Sequence, residues 1–154
     1  MTWRDLEHPE AGGAEVFAEK TAAVMARGGH QVTLFAADFD GAEPFVQRDG
    51  FSIVRSGGRF GVYLKGMWHL WRHRNDYDVV LDVQNGVVVG APLVLPKTTV
   101  LLAPHAHREQ WYTLFPQPIS SFGWFLESKI SPWVYRKKHY VTVSEYSRRE
   151  LAQV

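Results

Sequence analysis

Two glycines, Gly12 and Gly13, stand just before an apolar-periodic run over 16–25. Glycine lacks a Cβ, so a ligand can come close to its backbone. If Ala14 and Glu15 open a helix, the first-turn N–H groups are unpaired and carry partial positive charge. Together these features make a seat for an anion, most often a phosphate. Glu15 suits the helix dipole but repels a phosphate unless its side chain turns aside. A ligand-free turn between strand and helix is the competing reading, because short glycine patterns are common.

A second group of candidates follows the apolar run over 98–103: Pro104, His105, Ala106, His107 and Arg108. If the strand continues to His107, His105 and His107 project to one face. Such a pair could hold a sugar hydroxyl or a phosphate, or one ring could carry a proton. Arg108 adds a fixed cation whose forked donors suit carboxylate or phosphate. The competing reading buries one histidine as a hydrogen-bonding residue and leaves the other in solvent. Asn85-Gly86 closes a further apolar run over 78–83.

Other chemistries find less support. His69 and His73 have the i, i+4 spacing of metal ligands, but no His-Glu-x-x-His pattern accompanies them. They read as part of a solvated basic face, and no metal site is assigned. Asp38, Asp82, Glu109 and Glu127 are single carboxylates, which argues against a two-carboxylate glycosidase. No serine sits in a nucleophile elbow. The glycine loop lacks both Gly-Lys-Ser/Thr and a full Gly-x-Gly-x-x-Gly, so neither a P-loop nor a dinucleotide site is indicated.

The elements that must hold these residues alternate. Helical periodicity runs over 14–27, with Phe17, Thr21 and Val24 on one stripe and Ala18, Ala22 and Met25 beside it. Gly28-Gly29 stops it. Short apolar strands are expected at 31–37, 51–54, 78–83, 98–103 and 140–143. Residues 38–50 read as loop and 62–74 as a helix with Leu64, Trp68 and Trp71 at helical spacing. A proline-interrupted helical run covers 108–138, and Ser144 caps a last turn containing Arg148, Glu150 and Leu151. Alternating strands and helices imply an α/β fold with an open parallel sheet covered on both faces. Ligands of such sheets bind beyond the carboxyl ends of the strands. Gly12-Gly13, Asn85-Gly86 and His105/His107 all fall at such ends.

The 154 residues suit one domain, and 45% hydrophobic with 21% charged residues is ordinary for a globular chain. A net charge of +1 gives no reason to expect nucleic acid. Absence of cysteine excludes disulfides and thiolate metal sites and fits a cytoplasmic protein. No apolar run approaches the roughly 20 residues of a membrane span, and the N-terminus does not read as a signal peptide. Aromatic content is high at 14%, with six tryptophans. Residues 63–74 and 122–138 mix aromatics with Lys and Arg, Trp124, Phe125, Trp133, Tyr135, Arg136, Lys137 and Lys138 among them. An aromatic core face with a solvated basic face is the preferred explanation. A membrane-surface patch is the alternative.

Three ordered blocks carry a resemblance. Trp3-Arg4-Asp5 with His8-Pro9-x-Ala11-Gly12-Gly13-Ala14-Glu15 resembles the start of the N-terminal domain of family 4 glycosyltransferases, which have the two-domain GT-B fold. His105-x-His107-Arg108-Glu109-Gln110-Trp111 resembles a second block of a bacterial subgroup. Val143-Ser144-Glu145-x-Ser147-x-x-Glu150-Leu151 resembles the block that closes that domain. The resemblance implies a Rossmann-like acceptor-side domain over 1–154, one half of a GT-B fold. It also implies sugar transfer from a nucleotide-sugar donor to an acceptor hydroxyl with retained configuration; the place expected is the cytoplasm, with the inner face of the cell membrane as the option the aromatic-basic stretches leave open. It requires no metal and no resident cofactor.

On that resemblance His105 or His107 contacts the transferred sugar, the local alignment sliding by two. The glycine loop with Gly12, Gly13 and Ala14 falls beside the donor diphosphate or the acceptor; Asn85, by its place at a strand end, and Arg108, by its charge, are added as candidate contacts. Departure and attack on one face need no protein nucleophile, so the work is positioning and charge stabilisation. The resemblance also places a central first strand of which only Met1-Thr2-Trp3 are present, and a C-terminal domain that carries most nucleotide contacts. The 154 residues alone are therefore expected to turn over little, and a neighbouring molecule could supply the strand. Two other readings on this architecture are a non-catalytic membrane-docking or binding module, and a sugar-nucleotide epimerase or phosphorylase.

Overall fold

The computed structural model describes residues 1–96 and 98–152. Helix α1 (Gly13–Arg27) leads to β1 (Thr33–Ala36), β2 (Phe45–Arg48), β3 (Phe51–Arg55) and α2 (Gly58–Arg72). Then come β4 (Val80–Val83), β5 (Thr99–Leu102), α3 (Arg108–Leu114) and α4 (Ile119–Phe125). A π-helical turn over Leu126–Ile130 joins α4 to α5 (Ser131–Tyr135), and β6 (His139–Val141) and α6 (Glu145–Leu151) close the chain.

The strands form two three-stranded ladders, β1-β3-β2 and β4-β5-β6. All neighbours are parallel except β2, which runs antiparallel to β3. Residues 1–3 join the ladders. Thr2 N–H donates to Phe35 O and Ala37 N–H to Trp3 O, each at 3.0 Å. On the other side the Met1 nitrogen donates to Leu81 O at 2.8 Å, and Val83 N–H donates to Met1 O at 2.9 Å. The short N-terminal stretch thus holds the central position expected of a first strand. Where its bonding stops, β1 and β4 flank a groove of about 630 Å³ whose walls include Thr33, Phe35, Tyr77 and Leu81.

Side-chain alternation distributes the core to both faces. Leu34 of β1, with Phe51 and Ile53 of β3, packs on Ala22 and Ala23 of α1. Phe35 faces the other way, into a cluster with Met1, Val62 and Leu70 of α2, and Val80. Val83 and Leu102 meet Ala18, while Leu101 and Ala103 meet Tyr135. The Rossmann-like α/β layering agrees with the sequence pattern.

Three expectations need correction. Residues 38–50 are not all loop, since β2 and β3 form a hairpin closed by Asp49-Gly50, both at positive φ (49° and 85°). An Asp-Gly pair between strands is the sequence signal for such a turn. The inward face of α1 is rotated: Glu15, Ala18, Glu19, Ala22 and Ala23 are buried, whereas Phe17, Val24 and Met25 are exposed. Ionic partners explain it. Glu19 accepts the Leu6 N–H (2.7 Å) and pairs with Arg48 (3.2 Å). Finally, α2 buries Val62, Gly66 and Leu70, and leaves Leu64, Trp68 and Trp71 in solvent. Trp68 and Trp71 are thus no core face, whereas Tyr63 packs against the core.

The loop after Trp3 is held by charge. Arg55 is 3% exposed and bonds Asp5 at 2.5 Å, Glu7 at 2.6 Å and Glu43 O at 3.0 Å. A buried guanidinium is tolerated only with such partners. They fix the path from the central stretch to the glycine pair.

Candidate functional site

Parallel strands share one carboxyl end, so the loops after residues 1–3, β4, β5 and β6 emerge along one rim. Buried carboxylates hold that rim. Glu15, in the first turn of α1, is 1% exposed. Its Oε2 accepts the Gly12 N–H at 2.7 Å, and its Oε1 accepts Asn85 Nδ2 at 2.6 Å. Arg4 Nε lies 3.5 Å from the same Oε1. Gly12 N–H and Asn85 Nδ2, two groups read as ligand contacts, are thus engaged by Glu15. The N–H groups of Gly13 and Ala14 have no acceptor among the described residues.

Glu127 is the second carboxylate, 2% exposed in the π-helical turn. Its Oε1 accepts the His107 N–H (2.8 Å) and Gln84 Nε2 (3.2 Å) and lies 3.0 Å from His107 Nδ1. Its Oε2 accepts Trp111 Nε1 at 2.5 Å. Four donors from three segments therefore meet one side chain. A carboxylate at Nδ1 fixes the proton there and sets the ring orientation.

His107 is buried at 4% exposure, so its imidazole belongs to the framework. His105 is half-buried, lies tilted against His107 with ring centroids 4.3 Å apart, and has Gln110 Nε2 3.3 Å from its Nε2. Burial, then the neighbouring His107 charge, pushes the His105 imidazole below its ordinary value of 6.5. The neutral form of the ring is thereby favoured, and it can hydrogen-bond a ligand hydroxyl without carrying charge. Ala106 N–H donates to Glu150 Oε2 at 3.3 Å, which ties the histidine loop to α6. A cavity of about 100 Å³ lies beneath the loop, bounded by Gln84, Ala106, Glu127 and Tyr140.

Contacts join the two ends of the rim. Gly12 meets Glu15, and Glu15 meets Asn85. The next residue, Gly86, sits at φ +85°, and a Cβ on it would lie 3.1 Å from the Trp111 ring. Trp111 in turn bonds Glu127, which holds His107. Arg108, the first residue of α3, is exposed beside the loop, its guanidinium 5.8 Å from the centre of the Trp124 ring. His69 and His73 lie elsewhere, on α2: His69 Nε2 is 2.7 Å from Tyr77 Oη, and His73 Nδ1 is 3.0 Å from Asp76. No group of three metal-ligating side chains occurs among the described residues.

The positioning residues Glu127, Gln84, Trp111 and Glu150 were not legible as such. Glu127 stands out in sequence only as a lone carboxylate, and its partners are 16 to 43 residues away. By contrast Ser144 caps α6 as expected, accepting the Ser147 N–H at 3.0 Å.

A family described as Glycosyltransferase Family 4 matches residues 11–154. The chain belongs to glycosyltransferase family 4. No curated protein and no solved structure matches it. In this family 4 chain the match includes the glycine pair, both rim histidines and the Ser144 block, and leaves Trp3-Arg4-Asp5 and His8-Pro9 outside. No helix among the described residues is long and apolar enough to cross a membrane.

Proposed function

We propose that this family 4 chain is the acceptor-side, N-terminal half of a retaining GT-B glycosyltransferase that moves a sugar from a nucleotide-sugar donor to an acceptor hydroxyl. The observation that supports this most is the shared rim. The free N–H groups of Gly13 and Ala14 and the neutral His105 imidazole lie at the ends of one chain of contacts, Glu15–Asn85–Gly86–Trp111–Glu127–His107.

In the reaction, the bond from the anomeric carbon to the diphosphate oxygen breaks. A bond to the acceptor oxygen forms on the same face, and the acceptor proton leaves with the diphosphate. Gly13 and Ala14 stabilise the charge on the departing diphosphate through N–H groups at the positive end of α1. His105 hydrogen-bonds the transferred sugar, while His107 and Glu127 hold the loop that presents it. Arg108 supplies a mobile cation at the rim for diphosphate or acceptor. No step requires a metal or a resident cofactor. A second domain supplies the nucleotide contacts, and the reaction runs in the cytoplasm.

The test is a panel of nucleotide sugars offered to the full-length protein with candidate acceptors, the product anomer being read by proton NMR. Transfer with retained configuration is expected. Transfer with inversion, or hydrolysis and epimerisation without transfer, contradicts the proposal.

A further inference from the structure

Residues 1–3 fill the space between β1 and β4 for a short distance only. Along a strand, the backbone groups of alternate residues point to the same edge. Val32 O accepts the Ser52 N–H and Ala36 O accepts the Ser56 N–H, so these residues turn their backbone toward β3. Thr33 and Phe35 therefore turn theirs into the groove. Phe35 O takes the Thr2 N–H, but Phe35 N–H and both backbone groups of Thr33 have no backbone partner among the described residues. The opposite wall matches. Leu81 O takes the Met1 nitrogen, and Leu81 N–H has no backbone partner among the described residues. Phe35 is 2% exposed, and orphaned amides in such places are rare.

The gap is one strand wide. Thr2 bonds β1 at 3.0 Å while Met1 bonds β4 at 2.8 Å, so a single stretch reaches both walls. Toward the amino ends of β1 and β4 the groove continues past Val32 and Val79, a run of about four residues or roughly 13 Å. Side chains close it on both faces. Ala18 and Ala22 of α1 line one side with Leu34, and Leu70 of α2 lines the other with Phe35 and Val80. Asp76 and Asp78 stand at the amino end, just ahead of β4.

We propose that this slot takes one extended strand of a partner polypeptide, about four apolar residues behind a basic lead, running parallel to β1 and β4. Backbone pairing along both edges satisfies the Thr33, Phe35 and Leu81 amides. A strand covered on both faces needs apolar residues throughout. The parallel direction sets its amino end beside Asp76 and Asp78, which favours a cation there. Two other occupants fit less well. An alkyl chain fills the volume but leaves the amides without acceptors. A second copy of this chain has no spare strand: every named strand is already paired along at least one edge, and the slot requires two free edges.

The probe is a fluorescein-labelled peptide, Lys-Lys-Val-Leu-Val-Leu with blocked ends, titrated into the full chain. Anisotropy reads the affinity, and amide hydrogen exchange by NMR reads the place. Saturable binding with slower exchange at Phe35 and Leu81 is expected. Methylating alternate peptide nitrogens keeps the side chains and removes the donors along one edge, so affinity is expected to fall about tenfold or more. Thr33→Pro removes a wall donor that β3 does not use, and is expected to weaken the peptide about fivefold or more with the circular dichroism spectrum unchanged. Should that variant misfold, the methylated peptide still decides. Equal affinity of the methylated and plain peptides identifies an apolar filler and overturns the proposal. Exchange at Phe35 and Leu81 that peptide leaves unaltered overturns it too. So does a dimer in sedimentation in which those two amides are already protected.

Discussion

The two ends of the sheet are built on different principles. At the carboxyl ends of the strands, Glu15 and Glu127 gather backbone and side-chain donors from distant segments, with a cavity of about 100 Å³ beside Glu127. At the other end, β1 and β4 flank a groove of about 630 Å³ with walls that include Phe35, Leu81 and Val83. This groove is therefore not beside the candidate chemistry. A buried carboxylate with several donors fixes loops in one geometry, because any other arrangement strands desolvated polar groups. The groove walls mix apolar side chains with His30, Gln31, Asp76 and Asp78. Rigidity is concentrated where the histidines and the glycine pair must hold their relation.

The strongest way to break this contrast is to remove a rim carboxylate. Glu127→Ala leaves Gln84, Trp111 Nε1 and the His107 N–H without their acceptor in a buried place. A loss of about 3–5 kcal/mol is expected by chemical denaturation. Glu127→Gln is expected to lose about 1–3 kcal/mol, because one acceptor oxygen survives. A loss below 1 kcal/mol for the alanine variant would show that the cluster does not organise the rim.

A second variant sharpens the role of Trp111. A Cβ on Gly123 would lie 2.3 Å from the Trp111 ring, closer than any real packing contact. Gly123→Ala is thus expected to displace the indole and to cost about 1–3 kcal/mol. It should also shift the Trp111 indole N–H resonance, because that proton is donated to Glu127. An unshifted resonance would place the ring elsewhere.

The smallest expected effect comes from the groove end. Burial, then the His73 charge, lowers the His69 imidazole below its ordinary 6.5. A lowered folded value means that the unfolded chain binds the proton more readily. Stability from this group is then full above about pH 6.5 and declines as pH falls through that value toward the folded one. His69→Gln is expected to flatten that part of the melting-temperature curve. An unchanged slope counts against it. His8 and His105 are lowered too, burial leading in each, and have the same sign.

Much of the layering was legible because it depends on local pattern. The alternation at Leu34 and Phe35 separates the two core clusters, and Ser144 announces its helix. Asp49-Gly50 announced its hairpin as well, although residues 38–50 read as loop. The α1 face was misjudged for a physical reason: apolar spacing favours Phe17 and Val24, but Glu15 and Glu19 are buried by partners in other segments. On α2, apolar periodicity could not tell the buried arc from the exposed one, because both are apolar. The division of labour between His105 and His107 was equally out of reach. It is decided by Glu127, whose position depends on the π-helical turn and not on spacing.

The central claim is that the histidine loop and the glycine pair serve one transfer site. Steady-state kinetics of the full-length enzyme with His105→Ala test it most directly. A fall in kcat/KM of about a hundredfold or more is expected, with the melting temperature unchanged, because in the proposed reaction the ring hydrogen-bonds the transferred sugar, and it is not itself held by a buried carboxylate. Full activity in that variant would contradict the account.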